Sequence, residues 1–338
     1  MKAAIYLGDG KPIVIETLSD PVPGPNDLLI QVHRCGICGT DLAMTRGGAW
    51  DFGSNVQFGH EYAGEIVEVG RDVSGFRKGD IVSVLPSAAC GQCASCRAHG
   101  NNVLCHADTT PMATGFAEFA KVPAYLATRL PSTLTVTDGA LIEPLAISLY
   151  GVQLARIRPG DRVLVLGGGT VALYAIYWAR RLGAGRIVAM SRSARREALS
   201  LAMGADTFIS FDDGEIGAVQ EALGGAPDIV FECVGAEGML AKAVSHAAPF
   251  GRILSLGFCT SPDPIVPALA AYKCASIQFA VGYSMTEFLY IADHMDKGHV
   301  DPKTIVTNEI GLDELPAMVA ALRGPNDETK VHVRCGGI

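Results

Sequence analysis

The chain has 338 residues, of which 49% are hydrophobic and 18% charged, and its net charge is -8. This length favours two domains, and the composition is typical of a well-buried globular protein without a basic surface for nucleic acid or anionic membranes. The apolar run at 171–179 is too short to span a bilayer, and no targeting segment is recognisable. We therefore expect a cytoplasmic protein.

Short β-like runs separated by turns fill the first 145 residues. The predicted strands have apolar and β-branched residues, and they cover 13–16, 28–32, 61–69, 80–85 and 116–122. Turn-forming segments such as PVPGP separate them, and no long helical period is present. The pattern predicts an all-β barrel with a few short helices.

Four cysteines with the spacing C-x₂-C-x₂-C-x₈-C lie in one loop, namely Cys90, Cys93, Cys96 and Cys105. Four thiolates close a tetrahedral site, which is typical of structural zinc, with an iron–sulfur cluster as the alternative. Ten cysteines without a leader indicate a reducing compartment and metal rather than disulfides. The cysteines outside the two ligand sets are expected to be buried thiols: Cys35, Cys233, Cys259, Cys274 and Cys335.

A sparser second set combines Cys38 in GICGTD with His60 and Glu61 in GHEYAGEIVEVG, and Glu143 follows in EPLA. A mixed thiolate, imidazole and carboxylate set can leave one coordination position open for chemistry. Spacing alone does not establish this second metal site.

The pattern changes from about residue 158, where apolar β runs alternate with helical segments of about ten residues. This alternation predicts an α/β domain with a doubly wound parallel sheet. Two helices and a closing strand at 330–334 follow, and we expect them to return to the first domain. The predicted domains are 1–147 with 283–338, including a cysteine lobe at about 88–106, and 148–282.

A glycine loop joins the first strand of the second domain to its first helix. Gly167, Gly169 and Ala172 fit the pattern G-x-G-x-x-A, and the predicted helix begins at Val171, directly after Thr170. The glycines permit a tight turn and close approach of a pyrophosphate, and the helix N-terminus offers free N–H groups. The alternative is a structural turn.

The end of the next strand indicates which dinucleotide binds. An acidic residue there would bind the ribose of NAD, but the chain has Ser191 and Arg192, with Arg196 shortly after. Guanidinium groups suit a 2′-phosphate, so NADP is favoured over NAD. Alternatively, the arginines form a solvated helix start.

Five motifs in order make the chain similar, over its full length, to the zinc-dependent medium-chain dehydrogenase/reductase superfamily. They are GICGTD, GHEYAGEIVEVG, the four-cysteine lobe, EPLA and the glycine loop. The chain looks most like bacterial polyol, threonine and secondary-alcohol dehydrogenases. The resemblance implies a Rossmann domain plus a mainly-β GroES-like catalytic domain.

The resemblance also implies roles for the second ligand set. Cys38 and His60 would ligate a catalytic zinc, and Glu61 and Glu143 would share the carboxylate role. Asp41 would fix the tautomer of His60.

Further positions follow from the same resemblance. Thr40 would pass the substrate proton onward, and Lys330 would lie near the pyrophosphate. The cofactor cleft would be lined by Cys233, Val234, Gly235 and Gly257. Two departures stand out: the lobe has eight residues before its last cysteine where relatives usually have seven, and Ala43 and Met44 replace a histidine common in relatives.

The sequence thus predicts a zinc-dependent oxidoreductase that interconverts a secondary alcohol or polyol and a ketone with NADP(H). Trp50, Phe52 and Met112 either line a pocket for a bulky alcohol or are ordinary core or loop residues. The alternatives are a zinc-free quinone or enone reductase, whose members lack the cysteine lobe and GHE, and a non-catalytic NADP sensor. Relatives also suggest a homodimer or homotetramer.

Overall fold

The structure, a computed structural model, describes residues 1–48, 53–87, 89–90, 92–105, 107, 114–212, 214–298 and 302–336. Trp50, Phe52 and Met112 lie outside the described residues. The chain divides into two compact units, Met1–Ala146 with Gly282–Ile338, and Ile147–Val281. Among the described residues, no helix has the length and apolar character needed to cross a membrane.

Short strands and short helices alternate up to residue 154. The strands are β1 (Lys2–Tyr6), β2 (Ile13–Thr17), β3 (Asp27–Gly36), β4 (Val56–Gln57), β5 (Glu61–Val69), β6 (Ile81–Val84), β7 (Phe119–Pro123) and β8 (Ala127–Arg129). The helices are α1 (Gly39–Met44), α2 (Ala94–His99), α3 (Val136–Gly139) and α4 (Ile142–Leu154).

Strands and helices then alternate regularly, as the apolar periodicity predicts. They are β9 (Arg162–Leu166), α5 (Thr170–Arg181), β10 (Arg186–Ser191), α6 (Glu197–Ala202), β11 (Thr207–Ser210), α7 (Glu215–Leu223), β12 (Ile229–Glu232), α8 (Met239–His246), β13 (Arg252–Ser255), α9 (Pro267–Tyr272) and β14 (Ser276–Phe279). The chain closes with α10 (Met285–Asp296), β15 (Val306–Gly311), α11 (Leu315–Leu322) and β16 (Lys330–Arg334).

In the first unit, the main sheet has the order β15-β16-β3-β5-β6-β8, and β7 also pairs with β3. Antiparallel pairing of β16 with β3 brings the C-terminal segment against the N-terminal half of the unit. The register of β3 and β5 places Gly36 opposite Glu61. The end of β3 and the start of β5, which carry the second ligand set, are therefore neighbours.

In the second unit, parallel strands have the order β11-β10-β9-β12-β13-β14. Leu164, Val188, Val230 and Ile253, on one face of the sheet, are buried in one apolar core, and Val165 on the other face is also buried, as in a sheet covered on both faces. Along the chain, β10 and β11 are added on one side of β9, and β12, β13 and β14 are then added on the other side. The strand order therefore reverses at β9, and sheets of this type bind ligands at the carboxyl end of the strand where the order reverses. The predicted doubly wound parallel sheet and mainly-β unit are confirmed.

The cysteines outside the ligand sets do not all behave as predicted. Cys35 and Cys335 are buried, but Cys233 and Cys259 are half-buried as whole residues. Cys274 is exposed, so the prediction of a buried thiol is wrong there. It lies in the turn between α9 and β14 with a left-handed φ of 46°, and not within a strand.

His332 is a buried histidine in the first unit, on β16. It is fully buried, and neither ring nitrogen has a hydrogen-bond partner among the described residues. Burial, followed by the charges of Lys330 and Arg34, lowers the pKa of His332 to about 3. The unfolded chain therefore binds a proton at this position at a higher pH than the folded protein does.

We predict that His332→Met makes the stability of the protein less sensitive to acid. Because the folded pKa lies below the unfolded one, wild-type stability falls as the pH drops below about 6.5. Between pH 7.5 and pH 5 the wild type should lose about 2 kcal/mol more than the variant. Urea unfolding at both pH values measures this difference, and equal losses in the two proteins would contradict it.

Candidate active site

A thiolate, an imidazole and a carboxylate converge where β3 ends and β5 begins. Cys38 precedes α1 as its N-cap, His60 directly precedes β5, and Glu61 is the first residue of that strand. One ligand atom from each of the three lies within 4.8 Å of the others. The mixed donor set fits a zinc ion with an open coordination position.

Asp41 organises this set from the first turn of α1. Its Oδ2 accepts a hydrogen bond from the backbone N–H of Cys38 at 2.9 Å, and its Oδ1 lies 3.4 Å from Nδ1 of His60. The carboxylate is fully buried. The backbone N–H of Thr40 donates to Sγ of Cys38 at 3.4 Å, so the same turn also fixes the position of this sulfur. Thr40 itself is half-buried beside this sulfur.

Glu61 forms a buried ion pair with Lys330. Lys330 Nζ lies 2.5 Å from Glu61 Oε2 and donates to the carbonyl of Ile37 at 3.0 Å, and both charged side chains are 1% exposed. Burial is the largest single effect and lowers the pKa of Lys330, but the negative charges of Glu61, Cys38 and Glu143 and the hydrogen bond to Glu61 together outweigh it and raise that pKa. The expected pyrophosphate contact of Lys330 stays a prediction, since the partner found here is Glu61.

Cys38, His60 and Glu61 are called the close set below. Among the described residues, this set does not include Glu143. Glu143 is buried in the first turn of α4, and its Oε1 accepts a hydrogen bond of 2.7 Å from the hydroxyl of Tyr283. Burial is the largest effect on Glu143 and raises its pKa to about 7. Its share in metal binding stays a prediction, and Tyr283 is a residue that sequence reasoning missed.

The four cysteines of the lobe also converge, with ligand atoms within 4.8 Å of one another. Cys93 is the N-cap of α2 and its Sγ accepts from the N–H of Cys96, while Cys90 Sγ accepts from the N–H of Cys93 at 3.3 Å. Backbone N–H groups, first that of Cys90, lower the pKa of Cys105. Thiolates stabilised in this way fit a closed zinc site, and the eight-residue spacing still closes.

The glycine loop of the second unit has the geometry that a dinucleotide needs. Gly167 adopts a φ of 121°, and a Cβ there would lie 3.3 Å from Val234 and 3.4 Å from Cys233. Gly169 is the N-cap of α5, and a Cβ at this position would meet nothing within 4 Å. Ala172 is fully buried in the first turns of α5, after Thr170 and Val171. The N–H groups at a helix N-terminus suit phosphate.

The predicted 2′-phosphate residues lie beside this loop. A Cβ on Gly168 would lie 2.8 Å from Cγ of Arg196 and 3.6 Å from Oγ of Ser191. The aliphatic part of Arg196 therefore covers the loop, while Arg192 is exposed just beyond β10. The arrangement provides guanidinium and hydroxyl groups at the place where the adenosine ribose binds in this type of sheet.

The neighbouring loop after β12 is fixed by Glu232, which sequence reasoning also missed. Glu232 Oε1 accepts from the N–H of Val234 at 2.6 Å and of Gly235 at 2.8 Å. A Cβ on Gly257 would lie 2.2 Å from the nitrogen of Gly235. These contacts form one wall, which consists of Cys233, Val234, Gly235 and Gly257. The sequence signal that could have identified Glu232 is an acidic residue at the end of an apolar strand.

We predict that Lys330→Met destabilises the metal-free protein by about 3 kcal/mol or more, since it leaves the buried Glu61 carboxylate unpaired. Lys330→Met combined with Glu61→Gln should recover most of this loss, because neither member of the pair is then charged. The free energy of unfolding is measured with urea for the metal-free wild type, the single variant, the double variant and a control. Lys297→Met, which breaks an exposed pair with Asp293, should cause no measurable change. A loss that the second substitution leaves unchanged would argue against the pair.

Comparison with known proteins identifies the family. Residues 24–132 match the alcohol dehydrogenase GroES-like domain, and residues 170–296 match the zinc-binding dehydrogenase family. The (R,R)-butanediol dehydrogenase of Bacillus subtilis (strain 168) is 30% identical and covers 99% of both chains. The sorbitol dehydrogenase of the same organism is 30% identical over 98% of this chain and 97% of that protein.

A solved structure is similar over the same extent. It is described as a zinc-binding dehydrogenase from Sinorhizobium meliloti 1021 bound to NADP, with a TM-score of 0.87, 30% identity and 98% of both chains covered. The motifs, the two-unit fold and these relatives agree. The chain belongs to the zinc-dependent medium-chain dehydrogenase/reductase superfamily and is an alcohol-dehydrogenase-type enzyme that uses a nicotinamide dinucleotide.

Proposed function

We propose that this enzyme interconverts a secondary alcohol or polyol and its ketone by hydride transfer to or from NADP(H). The convergence of Cys38, His60 and Glu61 within 4.8 Å carries the proposal. We assign the catalytic chemistry to the first unit and cofactor binding to the second. The set favours this function over a zinc-free reductase or a non-catalytic sensor, since it provides an open mixed-donor metal site.

Cys38, His60 and Glu61 would hold the catalytic zinc, and the four lobe cysteines would hold a structural one. A zinc ion in the first set supplies Lewis-acid polarisation of a carbon–oxygen bond. Asp41, beside Nδ1 of His60, keeps the proton on that nitrogen and leaves Nε2 as the ligand. Thr40, in the same turn as Cys38, offers the hydroxyl that takes the substrate proton.

The second unit would hold NADP with its glycine loop and the N-terminus of α5. Ser191, Arg192 and Arg196 would bind the 2′-phosphate, and Gly235 and Gly257 would line the nicotinamide side of the crevice. The NADP bound to the Sinorhizobium meliloti protein supports this choice. A bound nicotinamide supplies the hydride acceptor or donor.

The named relatives act on compounds with adjacent hydroxyl groups, butanediol and sorbitol. A substrate panel should therefore compare diols and polyols with simple secondary alcohols, each with NADP and NAD. Association as a homodimer or homotetramer stays a prediction.

We predict that Cys38→Ser abolishes turnover while NADP binding is retained, because the substitution removes a ligand from the first unit only. Bound zinc should fall from about two ions per chain to about one. Elemental analysis, calorimetric NADP titration and steady-state assays measure the three quantities. Cys274→Ser, at an exposed cysteine outside both sets, is the matched control and should retain all three. Normal turnover in Cys38→Ser would reject the proposed metal site.

We also predict that Arg196→Ala raises the KM for NADP about 10- to 100-fold and raises the KM for NAD much less, because NAD loses only the support that the Arg196 stem gives to the loop. The range corresponds to the loss of one charge-assisted hydrogen bond. Arg71→Ala, at an exposed arginine of the first unit, controls for net charge. An equal rise for both dinucleotides would show that Arg196 supports the loop without reading the 2′-phosphate.

A further inference from the structure

Tyr283 brings a buried hydroxyl group to the edge of the catalytic set. It lies two residues before α10, is 5% exposed, and donates to Glu143 Oε1 at 2.7 Å. None of the motifs includes this tyrosine. Its hydroxyl contacts Glu143, the glutamate of the site that lies outside the close set among the described residues.

Contacts made by residues before and after Tyr283 in the sequence fix the position of its ring. It stacks on Phe288 with 6.0 Å between ring centroids and an angle of 14° between planes. On the other side, Gly282 adopts a φ of 68°, and a Cβ there would lie 2.5 Å from Asn101 Oδ1 and 2.7 Å from Val103. The backbone before the ring therefore packs against residues that follow α2 of the cysteine lobe, and the hydroxyl has a fixed position.

The two buried glutamates of the site differ in their partners. Glu61 faces the cation of Lys330 and lies in the close set. Glu143 faces the neutral hydroxyl of Tyr283 and does not. Because Tyr283 is fixed, its hydrogen bond favours the present position of Oε1 of Glu143. A movement of this carboxylate towards Cys38 and His60 that displaces Oε1 would lengthen the bond.

We propose that Tyr283 is a positioning residue that holds Glu143 away from Cys38, His60 and Glu61, so that Glu61 is the resting carboxylate ligand. Glu143 enters the set only when its bond to Tyr283 breaks. This inference rests on the proposed function in one respect, namely that zinc is held by the close set.

The test is the rate at which zinc leaves the catalytic set, followed with a chromophoric chelator. The release phase that is missing in Cys38→Ser identifies the catalytic ion. Tyr283→Phe keeps the stacked ring and removes only the hydroxyl, so Glu143 becomes free to bind. Zinc release should become about tenfold slower, equivalent to about 1.4 kcal/mol.

Two further variants show whether Glu143 is responsible. In the Glu143→Gln background, Tyr283→Phe should no longer change the release rate. Tyr6→Phe is the matched control, because Tyr6 is also fully buried in this unit and its hydroxyl accepts from the N–H of Gly10. It should release zinc at the wild-type rate.

The outcomes separate the two proposals. Release from Tyr283→Phe at the wild-type rate or faster, or slower release that persists with Glu143→Gln, overturns the role of Tyr283. Identical release phases in the wild type and Cys38→Ser would instead overturn the catalytic zinc site itself.

Discussion

The antiparallel pairing of β3 with β5 is the constraint on which the candidate active site depends. Its register sets Gly36 opposite Glu61, and the strand directions then bring Cys38, just past the end of β3, to His60, just before β5. A slip of one residue would turn Glu61 to the other face of the sheet. The position of Cys38 relative to His60 and Glu61 is therefore determined by the pairing of two whole strands, which extends far beyond these three residues.

Buried charge is the second constraint, because each ionised side chain near the set needs a partner. Lys330 on β16 pairs with Glu61, while Asp41 accepts a hydrogen bond from the N–H of Cys38 and lies 3.4 Å from Nδ1 of His60. The pairing of β16 with β3 makes the first of these contacts available. The return of the C-terminal segment to the first unit thus contributes a charge as well as a strand.

Much of this arrangement could be predicted from local sequence. The cysteine spacing, GICGTD, GHE and the glycine loop are short patterns whose chemistry is determined by neighbours in the chain. The partners of Lys330 and Glu143 could not be predicted, since they depend on contacts across 269 and 140 residues. The prediction that Cys274 is buried was wrong for a simpler reason. Its apolar neighbours in the sequence belong to a turn, where burial does not follow from composition.

The contact between Gly168 and Arg196 links two properties that are usually treated separately. The stem of Arg196 occupies the space that a side chain at residue 168 would need. The proposed binding of the 2′-phosphate by Arg196 and the shape of the loop floor therefore depend on the same side chain. Replacing this arginine to change the coenzyme would also uncover that floor, and a successful redesign must refill it.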